Sequence, residues 1–158
     1  MTLVEIEKLM NGIGLKAKNS ANSLAYSDPE KKRKALIKSA QSILDNKNAI
    51  LEANMEDVDH SKDKGLSKAM LDRLKLNDER INGISKGLVE IANLADPVGK
   101  TLDEWTQPTG LNIKRVQTPL GVIGVIYESR PNVTADAGGV CFKAGNSVIL
   151  RGGSESHN

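Results

Sequence analysis

The sequence predicts an α/β fold in which a helical N-terminal region leads into the beginning of a parallel sheet. Three observations predict it. Apolar residues recur at helical spacing from the start of the chain to about residue 94. The run Gly121-Val122-Ile123-Gly124-Val125-Ile126-Tyr127 is short, continuous and rich in branched residues, as expected of a parallel strand buried on both faces. A second such run, Ser147-Val148-Ile149-Leu150, follows a helically spaced segment, and strand, helix and strand within about 30 residues make a βαβ unit with a right-handed crossover.

Taken in order, Leu3, Ile6 and Met10 open a helical pattern that Ala17, Ala21 and Leu24 resume after Gly12 and Gly14. Ser27-Asp28-Pro29-Glu30 is a helix start, with a cap at Ser27 or Asp28, proline in the first turn and Glu30 set for a capping box. That helix carries Ala35, Leu36, Ala40, Ile43 and Leu44 up to Asp45-Asn46, and another runs from Asn48 to about Ser61. Ile81, Ile84, Leu88, Ile91 and Leu94 mark one helix face, with Asn77 as its cap. Asp96-Pro97-Val98-Gly99 is turn material. Leu111-Asn112-Ile113 alternates as a strand does, and Lys114-Arg115 then breaks phase before Val116 as a bulge would. Val133, Ala137, Val140 and Ala144 return to helical spacing, Gly145 is placed as the stop, and Gly138 and Gly139 inside that helix imply close packing on a neighbour.

Composition narrows the function classes. With 158 residues the chain is long enough to bury roughly 70% of its unfolded surface. Twenty-two basic against 20 acidic residues and a 3% aromatic fraction argue against nucleic acid, which needs a basic face or stacking rings. The single cysteine, Cys141, excludes an internal disulfide and fits a reducing compartment. No apolar run approaches the ~20 residues of a membrane helix, and the acidic, amphipathic start is unlike a secretory signal, so a cytoplasmic location is expected.

Two loops at strand ends concentrate chemistry. In open α/β sheets ligands bind beyond the carboxyl ends of strands, often at a following helix N-terminus. Arg151-Gly152-Gly153-Ser154-Glu155 offers a cation for phosphate, glycines for close backbone approach, a hydroxyl and a carboxylate that can accept from ribose; a plain turn is the alternative. It matches neither a G-x-G-x-x-G fingerprint nor a Walker loop. Glu128-Ser129-Arg130-Pro131-Asn132 occupies the corresponding position after the first strand, where Asn132 can also serve as a helix cap. Cys141, between Val140 and Phe142, reads as a buried structural thiol. His60, beside Asp57 and Asp59, lacks a second cluster that would make a metal site, and none is expected. The Lys31-Lys32-Arg33-Lys34 run reads as partly solvent-facing, its stems covering apolar surface.

Pro119-Leu120-Gly121-Val122-Ile123-Gly124-Val125-Ile126 and Ala144-Gly145-Asn146-Ser147-Val148-Ile149-Leu150 resemble the aldehyde dehydrogenase superfamily. Tyr127-Glu128-Ser129-Arg130-Pro131-Asn132-Val133-Thr134 and Arg151-Gly152-Gly153-Ser154-Glu155 resemble one branch of it, the γ-glutamyl phosphate reductases (glutamate-5-semialdehyde dehydrogenases). Asp96-Pro97-Val98-Gly99 and the Trp105 to Gly110 stretch fit the same branch, so the resemblance covers essentially the whole chain. It implies an aldehyde dehydrogenase-like fold with a partial Rossmann-like parallel sheet. Residues 1–103 would be the helical part of the cofactor domain, 104–119 the start of an oligomerisation β-element, and 120–158 the βαβ part of the NADP-binding domain.

The reaction so implied is the NADPH-dependent reduction of L-glutamyl 5-phosphate to L-glutamate 5-semialdehyde and phosphate, in L-proline biosynthesis. A cysteine thiolate displaces phosphate to form a thioester, which hydride from the cofactor then reduces. By the resemblance, Arg151, Gly152, Gly153, Ser154 and Glu155 contact NADPH, with Glu155 on ribose and Arg151 suited to the 2′-phosphate. Ser129 and Arg130 fall at the substrate, Arg130 toward an anionic group, and Asn132 is the candidate oxyanion donor. The resemblance further implies an N-terminal fragment whose nucleophile lies downstream of Asn158, inactive alone, homo-oligomeric when full length and functionally coupled to glutamate 5-kinase. A non-catalytic nucleotide-binding or interaction module, or a reductase for another acyl phosphate, are the alternatives.

Overall fold

The computed structural model describes residues 2–128 and 130–158. Five helices come first: α1 (Leu3–Leu24), α2 (Pro29–Asp45), α3 (Lys47–Asp63), α4 (Lys68–Leu74) and α5 (Asp78–Asn93). Strands β1 (Thr101–Thr106) and β2 (Asn112–Val116) form an antiparallel hairpin, and β3 (Val122–Ile126), α6 (Asn132–Lys143) and β4 (Ser147–Arg151) form the parallel βαβ unit.

The local start signals act largely as expected. Asp28 Oδ1 accepts from the Glu30 and Lys31 backbone N–H groups, with Pro29 at the first helical position, and Asn77 accepts from the Arg80 N–H. Gly12 and Gly14 do not interrupt α1, which is one helix begun by a Thr2–Glu5 capping box. Gly145, at φ +75°, ends α6: its N–H donates to the Phe142 carbonyl and the Asn146 N–H to that of Cys141, which satisfies two carbonyls the helix leaves open. The short α4 has no counterpart in the periodicity. It depends on a tertiary contact, because buried Asn54 of α3 donates to the Leu74 carbonyl and accepts from the Leu76 N–H.

The core lies between α2, α5 and α6. Leu36 and Ala40 of α2 meet Leu88 and Ala92 of α5, and Ala135 and Phe142 of α6 pack against them. Ser85 Oγ donates to the Ala40 carbonyl across the buried α2–α5 seam. Gly139 brings α6 close to α5, since a Cβ there would stand 2.7 Å from Leu88 Cδ2 and 3.3 Å from Ile91 Cδ1. Gly138 carries no such constraint, its nearest neighbour being Leu150 Cδ1 at 4.0 Å. α1 rests on β3 and β4 through its C-terminal half, where Ala17 and Ala21 are buried.

Several expectations need correction. The Lys31–Lys34 run faces solvent in part, as expected, through Lys31 and Lys34, but Lys32 does not: it is 1% exposed, and its Nζ lies 2.7 Å from Asp96 Oδ2, with no further hydrogen-bond partner for either atom. Its position on the inner face of α2, four residues before Leu36, outweighs the charge of its neighbours. Val140 is not on the core face of α6 but 53% exposed, because the helix turns Gly139, Cys141 and Lys143 inward. β3 is not buried on both faces: Val122, Gly124 and Ile126, which share one face, are exposed. The bulge lies on β1, where Leu102 is the extra residue between Thr101↔Val116 and Asp103↔Arg115, and not at Lys114-Arg115.

The buried ion pair joins α2 to the Asp96-Pro97-Val98-Gly99 turn, and Lys143 Nζ donates to the Ala92 carbonyl at 2.9 Å, from α6 to the C-terminus of α5. Burial works to raise the Asp96 pKa. The Lys32 hydrogen bond, the Val98 N–H and the charges of Lys32 and Lys143 outweigh burial and hold the carboxyl below its ordinary value. A carboxylate whose pKa is lower folded than unfolded stabilises above about pH 4, and that stabilisation is lost as pH falls through the lowered folded value.

Asp96→Asn strands the buried ammonium and should therefore cost about 3–5 kcal/mol near neutral pH in urea unfolding. Its deficit relative to the unsubstituted chain should shrink as pH falls below about 4; a deficit constant with pH would place the stabilisation elsewhere. At the α5–α6 seam, Gly139→Val should lose ~1–3 kcal/mol to overpacking, whereas Gly138→Ala should gain up to about 1 kcal/mol from helix propensity in the same measurement.

Candidate functional site

The carboxyl ends of β3 and β4 lie side by side, because Ile126 pairs with Arg151 in parallel register and the Tyr127 N–H donates to the Arg151 carbonyl at 3.1 Å. The two loops singled out in the sequence thus leave the same edge of the sheet. Tyr127 and Thr134 hydroxyls hydrogen-bond each other, tying the first loop to the first turn of α6. The Tyr127 ring lies over Gly152, where a Cβ would stand 3.6 Å from Oη in ordinary contact.

In the second loop Arg151 is exposed at the end of β4, and the chain turns at Ser154 and Glu155 without entering a helix. Gly153 is the glycine that the Glu155 side chain lies against. A Cβ there would lie 2.1 Å from Glu155 Oε1, so the Glu155 carboxylate folds back against bare backbone. The Ser61 hydroxyl donates to the Glu155 carbonyl at 3.4 Å, and Asp57 accepts from the backbone N–H groups of His157 and Asn158. Helix α3 therefore holds this loop from behind. The sequence offered no period or spacing that would pair Asp57 and Ser61 with residues nearly a hundred positions on.

An exposed cation at a strand end, a recessed carboxylate and bare backbone between them fit a phosphorylated ribose. The fit is one of donor and acceptor types, with Arg151 and Glu155 at the two ends of a five-residue turn.

In the first loop, Ser129 lies outside the described residues. Arg130 is exposed. Asn132 is not the N-cap of α6, as expected, but its first residue: Pro131 occupies the cap position with helical φ and ψ, and no side chain caps there. The Asn132 amide donates instead to Asp136 Oδ2 at 2.9 Å, one turn on. Pro131 fixes φ near the helical value, which advances the helix start by one residue and carries the asparagine past the cap.

Two hollows adjoin these loops. One, of 880 Å³, runs between α2, α3, α5 and α6, lined mainly by Leu36, Ile43, Ile50, Ile84 and Phe142, with Tyr127 and Thr134 at its rim. The other, of 420 Å³, opens at the N-terminus of α6, where Arg130, Asn132 and Asp136 face Asp72 and Arg73 of α4 and Arg80 of α5. Cys141 lines neither. It is buried, and burial pushes its thiol pKa up. Among the described residues no group of histidine, cysteine and acidic side chains could hold a metal ion, and no helix is long and apolar enough to cross a membrane.

No family model matches the chain. Gamma-glutamyl phosphate reductases of Paramagnetospirillum magneticum and Allorhizobium ampelinum are each 53% identical to it, over 99% and 97% of its length. The chain spans 37% and 36% of those two relatives. Among solved structures, the gamma-glutamyl phosphate reductase of Thermotoga maritima superposes with a TM-score of 0.87 at 40% identity, over 89% of this chain and 34% of that one. The Saccharomyces cerevisiae enzyme superposes with a TM-score of 0.88 at 36% identity, over 92% of this chain and 37% of that one. In sequence and in fold the chain is a homologue of the gamma-glutamyl phosphate reductases, corresponding to a little over a third of one.

Proposed function

We propose that the chain contributes the cofactor-binding part of an NADPH-dependent γ-glutamyl phosphate reductase, which converts L-glutamyl 5-phosphate to L-glutamate 5-semialdehyde and phosphate in L-proline biosynthesis. The observation that carries this reading is 53% identity across 156 residues to a gamma-glutamyl phosphate reductase. NADPH supplies a hydride to the acyl carbon when bound. Arg151 would meet its 2′-phosphate and Glu155 its ribose hydroxyls, on the exposure of the one and the recessed placing of the other. Asn132 supplies an amide N–H toward the acyl oxygen, and the hydrogen bond from that amide to Asp136 orients it.

The acyl group transfers from phosphate to a thiolate, the C–O bond to phosphate breaking as the C–S bond forms, before reduction to the aldehyde releases the thiolate. We assign that thiolate to a residue outside these 158. Cys141 is the one cysteine in the sequence, it is buried, and a raised pKa keeps it protonated at neutral pH. The exposed apolar side chains of the β1–β2 hairpin, Leu102, Trp105, Leu111 and Val116, support a homo-oligomer contact by that element.

Three measurements test this reading. The complete protein carrying this sequence should reduce NADP in a phosphate-dependent reaction with L-glutamate 5-semialdehyde, the reverse of the biosynthetic direction; absence of that activity would overturn the assignment. The 158-residue polypeptide alone should show no turnover, and a steady NADPH-dependent reduction abolished by Cys141→Ser would restore Cys141 as the nucleophile. In direct binding, Arg151→Ala should weaken NADPH by about tenfold and NADH far less, as loss of one charge-assisted phosphate contact does. Equal losses would remove Arg151 from the 2′-phosphate.

A further inference from the structure

The 420 Å³ cleft at the N-terminus of α6 contains Arg130 and Asn132, both already assigned to the substrate, together with four side chains the sequence did not single out: Asp72, Arg73, Arg80 and Asp136. Three arginines against two aspartates leave it positive. The charges are not equally engaged. The Arg80 guanidinium donates to the Asp72 and Lys75 carbonyls and meets the Asp72 carboxylate at 3.3 Å, so it holds the end of α4 against α5. Asp136 accepts from Asn132. Arg73 and Arg130 have no ion pair and no side-chain hydrogen bond among the described residues.

We propose that Arg73 and Arg130 together bind the α-carboxylate of the amino-acid substrate and so select for it; the proposal rests on the reductase reading above. Asn132 marks the acyl end of the cleft. The α-carboxylate of a glutamyl group is separated from the acyl carbon by three carbons, and the cleft holds two arginines to meet it: Arg73 on the last turn of α4 and Arg130 in the loop before α6. Two guanidiniums carried by different elements of one cleft suit a planar carboxylate, which accepts from both at once. The Arg80–Asp72 contact fixes the α4 wall and makes Arg80 a positioning residue, while Arg73 touches the substrate.

The test uses the complete protein in the phosphate-dependent oxidation direction, with three aldehydes: L-glutamate 5-semialdehyde, 5-oxopentanoate (no amine) and 4-aminobutanal (no carboxylate). Arg73→Gln and Arg130→Gln should each raise KM about tenfold for the two carboxylate-bearing aldehydes, with kcat and the KM for NADP little changed. The KM for 4-aminobutanal should not move, and Arg73→Lys should restore part of the loss. A KM unaltered for all three aldehydes overturns the proposal, and so does an equal rise for all three. A rise confined to the KM for inorganic phosphate assigns the pair to the phosphoryl group and also overturns it. Absence of any activity in the unsubstituted protein, by contrast, removes the reductase reading itself.

Discussion

The buried ion pair between Lys32 and Asp96 is the constraint on which the rest of this structure depends. It sits where the helical half passes into the strand half, and α2 reaches it from one side while α6 reaches the adjoining Ala92 carbonyl through Lys143. An ammonium this deeply buried is stable only with its counter-ion in place. The Asp96 turn therefore cannot leave α2 without exposing an unpaired charge to the interior. The turn in turn sets the hairpin, because the Gly99 N–H donates to the Gln117 carbonyl, and Val98 packs at Gly145, where α6 gives way to β4.

From that anchor the geometry of the site follows by packing. Gly139 lets α6 approach Leu88 and Ile91 of α5 so closely that a Cβ would not fit without a shift. The same approach places Asp136, three residues earlier on α6, beside Gly87 of α5, where a Cβ would stand 3.7 Å from Oδ1. The N-terminus of α6 is thereby held against α5 and α4, and the positive cleft lies in the remaining gap. The second loop is set from the other end, by α3 through Ser61 and Asp57. The second loop is supported by side chains of α3, and the first borders a cleft shared with α4 and α5, so the helical half frames the site as well as forming part of the core.

Much of this was legible in the residues. The caps at Asp28 and Asn77, the stop at Gly145 and the βαβ unit depend on chemistry within a few positions, and the chain states such chemistry openly. The structure brings the two strand-end loops to one sheet edge, as a βαβ unit must. Two of the misses share one cause, a partner distant in sequence. Lys32 looks like one more surface charge in a run of four, and only its partner 64 positions away shows otherwise. The short α4 depends on the Asn54 side chain, and Arg73 enters the cleft only because α4 packs where it does. A third is local: the cap position expected of Asn132 passed to Pro131, which caps nothing, through a shift of one residue that spacing alone does not resolve.

Fold class, most of the elements apart from α4 and β1, and kinship with the reductases were thus written in local pattern and motif, because helix periods, turn residues and strand-end loops are interactions over short separations. The burial of Lys32, the inward face of α6, the one-sided exposure of β3 and the assembly of the positive cleft were decided by the folded chain alone. Each depends on which residues distant in sequence meet. A buried charge is acceptable, or a glycine required, only when the partner that makes it so has been brought into contact.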